Sequence, residues 1–174
     1  MKIRRLTAAV CAVLLTVSLL TACGQEIDPV PGGTGNTVTE TVPAASTDIR
    51  EVAAALNEGC TFSEPLTQND AYLSKKFPQL DGKYTDCTAY APAGIVPEEI
   101  FIFKASSADC MPDIVSVLEA YAAQQAEDYA DYAPAQVPKL DNYVLYATTD
   151  SVIYIVSCDN AGALNVVESM FGRG

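Results

Sequence analysis

The chain has 174 residues, of which 10 are Lys or Arg and 22 are Asp or Glu, giving a formal net charge of −12. That balance argues against nucleic acid as a partner, because phosphates must be neutralised by clustered basic side chains, and against a purely electrostatic contact with anionic lipid. Histidine is absent, which excludes Ser-His-Asp and Cys-His catalysis and histidine-containing zinc sites within the chain. Carboxylate-pair chemistry stays open because acids are plentiful. No phosphate-cradling, dinucleotide, nucleophile-elbow or calcium-loop pattern occurs, so neither a cofactor nor a metal is expected.

Lys2, Arg4 and Arg5 precede an apolar run from Leu6 to Leu20, interrupted by Thr7, Thr16 and Ser18. This is the layout of a secretory signal, and it is shorter than a comfortable membrane span. The run closes on Leu20-Thr21-Ala22-Cys23, which resembles the lipobox of bacterial lipoproteins. The resemblance implies that residues 1–22 are a cleaved lipoprotein signal peptide and that the Cys23 thiol carries the lipid as the first mature residue. A plain secreted protein with an incidental cysteine is the alternative. Two acyl chains, at about 0.8 kcal/mol per buried methylene, anchor persistently where one is marginal. Losing residues 1–22 removes three basic side chains, no acid and Cys11, and leaves a formal charge of about −15.

Residues 23–46 read as the lipidated cysteine and a disordered tether. Pro29, Pro31, Gly32, Gly33, Gly35 and Pro43 stand among Thr, Ser and Ala without apolar periodicity, and such a stretch cannot bury enough surface to offset backbone ordering. As a flexible coil it spans on the order of 25–30 Å. Residues 47–174 are long enough for one domain with a core and too short for two ordinary ones.

Within that domain the first helix is expected over Asp48–Glu58, with Ile49, Val52, Ala53 and Leu56 at helical spacing and Gly59 as the stop. A short helix over Asp70–Phe77 ends before Pro78. Lys83–Ala91 reads as a strand, with Tyr84 and Tyr90 on one face and Cys87 on the other. Glu98–Ala105 contains Ile100-Phe101-Ile102-Phe103, an apolar run suited to a central strand covered on both faces. The longest helix spans Met111–Tyr132, with Pro112 in its first turn and a face of Ile114, Val117, Leu118, Tyr121, Ala122 and Gln125 that is apolar until its last member. Pro134 and Pro138 mark a longer connection. Tyr143–Ala147 and Val152–Cys158 form a hairpin around Thr148–Ser151, and a last helix, Ala161–Phe171, follows Asp159 as cap. The order α-α-β-β-α-β-β-α points to an α+β fold, an antiparallel sheet of about four strands with helices packed mainly on one face.

The stretch Glu98–Lys104, the helix end Gln124–Tyr129, the turn Tyr132-Ala133-Pro134, and the pair Tyr143–Tyr146 with Val152–Asp159 resemble a domain of unknown function family, DUF4358. The resemblance covers most of residues 47–171. It implies a small bacterial lipoprotein, chiefly of Gram-positive type, and it carries no activity. The Thr148–Ser151 tip departs from the glycine turn that the family would lead one to expect.

Cys60, Cys87, Cys110 and Cys158 remain in the domain, an even number for an exported protein. Bridges Cys60–Cys87 and Cys110–Cys158 are one reading, since each pair lies near predicted element ends. Free thiols, which the family resemblance favours, are a second, and metal or redox chemistry a third. The wide spacings and the lack of C-x-x-C weigh against that last reading. Glu127, Asp128, Tyr129, Asp131 and Tyr132 cluster at one helix end, where Asp128, Tyr129, Asp131 and Tyr132 are candidate contacts for a sugar, a cationic wall component or calcium. A solvated face whose tyrosine rings pack into the core edge is the alternative. The expected function is a membrane-anchored, extracytoplasmic, non-catalytic binding or assembly module of the cell envelope. Its partner is an envelope protein, wall component or small ligand. The alternative is an envelope enzyme using paired carboxylates, for instance on glycans.

Overall fold

The protein is described by a computed structural model over residues 36–39 and 48–172. The signal segment, Cys23 and most of the expected tether lie outside the described residues. Within the tether, however, Asn36–Thr39 forms a strand, β1.

Helix α1 (Ile49–Gly59) begins where the Asp48 carboxylate accepts the Arg50 backbone N–H at 2.9 Å, which satisfies one of the helix's unpaired donors. It buries Ile49, Val52, Ala53 and Leu56, the face that the spacing predicts. A three-residue strand, β2 (Leu66–Gln68), leads into α2 (Asp70–Lys76). Strands β3 (Tyr84–Pro92) and β4 (Glu99–Ala105) follow, then α3 (Met111–Tyr132) and the short α4 (Val137–Asp141) inside the proline-marked connection. The hairpin is β5 (Val144–Ala147) with β6 (Ser151–Val156), and α5 (Asn160–Phe171) closes the domain behind its Asp159 cap.

The sheet order is β1-β5-β6-β4-β3-β2. The five strands β2 to β6 pair antiparallel, and β1 adds in parallel to the outer edge of β5. The expected hairpins and antiparallel sheet are therefore present. The two extra strands sit at the edges, where three or four residues leave too little alternation to read.

Period-two alternation sorts the side chains of the central strands onto two faces. Phe101 and Phe103 of β4, Val152, Tyr154 and Val156 of β6, Leu145 and Ala89 pack with residues of α2, α3 and α4. Ile100, Ile102, Ile153, Ile155, Val144 and Tyr146 pack against α1 and α5. Helices thus cover both faces, which is why β4, β5 and β6 read as continuous apolar runs. Each fully buried large side chain contributes roughly 1.5–3 kcal/mol by removal from water, so these two clusters hold most of the fold's driving force.

The hairpin turn forms without glycine. The Thr148 N–H donates to the Ser151 carbonyl at 2.8 Å, and the Thr148 hydroxyl accepts the Ser151 N–H at 3.0 Å. A hydroxyl-stabilised turn of this kind replaces the positive-φ residue that a tighter turn demands.

Candidate functional site

Glu99 opens β4, two residues before Phe101 and four before Phe103, so alternation places it on the face that meets α2 and α3. There it is 5% exposed. The helices supply its surroundings. Tyr72 and Lys76 are one turn apart on α2, and Tyr121, Gln125 and Tyr129 repeat at four-residue spacing along α3. With Thr67, Gln68 and the connection from Ala91 to Pro97, these side chains line a cavity of about 510 Å³, within the range of small-molecule sites. Ile95, 78% exposed, projects from the connection that forms one wall.

The polar groups of the cavity are arranged around one acid and one base. The Tyr121 phenol faces the Glu99 carboxyl. Burial pushes Glu99 up from 4.5 to about 7, with Lys76 and the Tyr121 phenol offsetting part of that rise. Loss of water disfavours the charged carboxylate, and a nearby cation and a donor favour it. The Lys76 ammonium donates to the Tyr72 hydroxyl at 2.5 Å and lies 4.4 Å from the centre of the Tyr121 ring and 4.7 Å from that of Tyr72. Cation–π attraction holds it there. No carboxylate lies within 4 Å of it among the described residues, whereas Arg50 has two such partners and Lys83, Lys104 and Lys139 have one each. Behind Glu99, Phe101 stacks on Tyr154 at 5.5 Å between ring centres. The Tyr154 hydroxyl is buried without a hydrogen-bond partner, and burial together with Glu99 raises its pKa well above the ordinary value.

The acid–aromatic cluster read at the end of α3 divides. Tyr129 is buried and lines the cavity. Tyr132 is 56% exposed, its ring 4.8 Å from that of Tyr129. Asp128 is exposed and accepts from Gln124 at 3.0 Å, and Glu127 and Asp131 are exposed as well. Among the described residues no group of His, Cys, Asp or Glu is placed to hold a metal.

The four domain cysteines are free thiols, which corrects the pairing of Cys60 with Cys87 and of Cys110 with Cys158. Cys60 packs with the α1–α5 face of the sheet and Cys87 with the α2–α3 face. Cys110 follows the C-terminal end of β4, where its sulfur accepts from Ser106 and Ser107 at 3.3 and 3.4 Å. Cys158 lies by the other end of β4, its thiol donating to Glu98 at 3.2 Å. Seven residues of strand separate these ends by roughly 20 Å, far beyond the reach of a bridge.

Glu98 also belongs to the architecture. Fully buried, it accepts from Lys139 at 2.5 Å and from the backbone and hydroxyl of Ser63 at 2.5 and 2.8 Å. Burial alone would raise its pKa, but the hydrogen bonds from Lys139, Ser63 and Cys158 outweigh that and lower it. Sequence reasoning missed Glu99 and Lys76. The available signal was the alternation back from Phe101, which puts Glu99 rather than Glu98 on the face that meets α2 and α3, together with the polar Gln125 on the core face of α3.

Fold and site together define a mixed α/β domain, a sheet between two helical layers, with one half-buried acid–base cavity between β4, α2 and α3. Residues 66–157 match the family described as Domain of unknown function (DUF4358), and the chain belongs to that family. The match runs from β2 to just past β6 and contains every residue lining the cavity, while α1 and α5 fall outside it. It covers most of residues 47–171, as the resemblance implies. Comparison with curated proteins and with solved structures found no match.

Proposed function

We propose that the protein is an extracytoplasmic lipoprotein, held on the cell membrane through a lipid on Cys23, whose domain binds a small ligand or wall component in the Lys76–Glu99 cavity without transforming it. The observation that carries this reading is an open cavity lined by a buried acid, Glu99, and by the ammonium of Lys76, which has no carboxylate within 4 Å among the described residues. Burial strips Glu99 of water, and a ligand making hydrogen bonds there offsets part of that cost. The anchor rests on Lys2, Arg4, Arg5, the apolar run and Leu20-Thr21-Ala22-Cys23.

The alternative, an envelope enzyme using paired carboxylates, needs a second acid facing the first across roughly 5–10 Å. Glu99 is the one carboxylate among the residues lining this cavity. Asp70 and Asp86 approach each other elsewhere, but both are bound by Arg50, at 3.2 and 2.7 Å. That arrangement suits structure better than catalysis.

The test is recovery of the native ligand. The full-length chain purified from its own cells, then denatured, is expected to release a small molecule that mass spectrometry does not find with Gln125→Trp, which fills the cavity. Equal recovery from both proteins, or from neither, would count against the reading. In the same cells Cys23→Ala is expected to shift the protein from the membrane fraction to the soluble one, and unchanged membrane retention would remove the anchor.

A further inference from the structure

The chemistry of the cavity is specific about the charge its ligand carries. Lys76 is a half-buried ammonium with three N–H donors, of which Tyr72 takes one. The rings of Tyr72 and Tyr121 fix its position without neutralising it. Glu99 lines the same cavity and is the acid that would ordinarily complete an ion pair, yet it lies beyond 4 Å from the ammonium and faces the Tyr121 phenol. Gln68, Asn69, Gln125 and Tyr129 line the same space, and Ala91, Pro92, Val96 and Pro97 give it apolar walls. The overall negative charge of the protein opposes an anion at long range, but salt screens that field beyond about 8 Å, and inside the cavity Lys76 is the nearest charge.

Resting on the reading of this cavity as a ligand site, we propose that it selects small polar ligands bearing a carboxylate, which pairs with Lys76 while Glu99 takes up a proton from solvent. The balance is simple. The ligand's anion forms a charge-assisted hydrogen bond with the ammonium, and the proton added to Glu99 removes the like charge that would otherwise face the newcomer. No covalent bond is made or broken. The groups facing Glu99 are Lys76 and Tyr72 from α2, Tyr121 and Tyr129 from α3, and Tyr154 from β6. Burial holds Tyr121, Tyr129 and Tyr154 neutral through the physiological range, so Glu99 is the group left to titrate. A carboxylate screening Lys76 withdraws the interaction that favours ionised Glu99, and affinity is expected to fall as pH rises above about 7.

D-Glucuronate, D-glucose and D-glucosamine share a ring and differ in charge, and they serve as probes. With no tryptophan in the chain, tyrosine fluorescence of the full-length protein in neutral detergent reports binding. Calorimetry in two buffers of different ionisation enthalpy reports protons. The expected result is saturable binding of glucuronate, about tenfold or more tighter than either other sugar, with net proton uptake just above neutral pH. Lys76→Gln is expected to erase the preference. Glu99→Gln is expected to bind glucuronate without proton uptake and with a flat pH profile. Equal or tighter binding of glucose or glucosamine, or a preference that survives in Lys76→Gln, would overturn the proposal while leaving the cavity a ligand site. Failure of all three sugars to bind would overturn it too, and the Gln125→Trp comparison decides separately whether the cavity reading falls with it.

Discussion

Glu98 and Glu99 are neighbours whose carboxyl groups are driven in opposite directions, and the difference is one of partners rather than of burial. Glu98 is met by an ammonium, a hydroxyl, a backbone N–H and a thiol, and its pKa falls below 4.5. Glu99 meets a phenol and a more distant ammonium, and its pKa rises to about 7. Their contributions to stability therefore depend on pH with opposite signs. The Glu98 cluster stabilises the fold above about pH 4.5 and loses that contribution as pH falls through the lowered value. Glu99 keeps its proton in the folded chain between 4.5 and about 7 while the unfolded chain gives it up, so stability declines across that window by an amount on the order of 3 kcal/mol and is level above it. Denaturant unfolding from pH 5 to 8 should show this decline in the parent and a much flatter profile in Glu99→Gln. An identical decline in both would mean that Glu99 is not the group responsible.

At the scale of elements, what the sequence made legible depended on length and repetition. The 22-residue α3 matches its expected bounds, because about six turns carry a long apolar face and Pro112 marks the start. Strand β3 was legible through its alternation and β4, β5 and β6 through their apolar runs. Strands β1 and β2 were not, since each has a single apolar residue among three or four, and β1 pairs along the free edge of β5. The cysteines show the limit of reasoning from element ends. Proximity to an end says nothing of which face of a sheet, or which end of a strand, a thiol occupies. With all four free, alkylation of the unfolded, unreduced chain should label Cys60, Cys87, Cys110 and Cys158 completely. In the folded chain near neutral pH Cys110 should react first, because hydrogen bonds from Ser106 and Ser107 lower its pKa while burial raises those of Cys60, Cys87 and Cys158. A Cys60–Cys87 or Cys110–Cys158 bridged peptide would contradict the arrangement of the sheet.

For the whole molecule, the family match and the cavity coincide. The matched segment holds the sheet from β2 to β6, the helices α2 to α4 and all the cavity's lining, so the site belongs to the part of the chain that defines the family. The proposed lipid anchor and the helical layer of α1 and α5 lie to either side of it in sequence. No helix among the described residues is long and apolar enough to cross a membrane. The site was largely hidden from sequence reading because it is assembled by tertiary structure. An acid at a strand start, a lysine in the last turn of a short helix and two tyrosines eight residues apart have no local signature until the sheet brings them together. One acid, Glu99, titrates near neutrality beside one ammonium, Lys76, that has no carboxylate within 4 Å among the described residues. The most direct test is to follow the Glu99 side-chain carboxyl by carbon NMR in the full-length chain as pH is varied. The midpoint should lie near 7 and move higher in Lys76→Gln, since Lys76 favours the ionised form. A midpoint near 4.5, unmoved by that substitution, would contradict the proposed site.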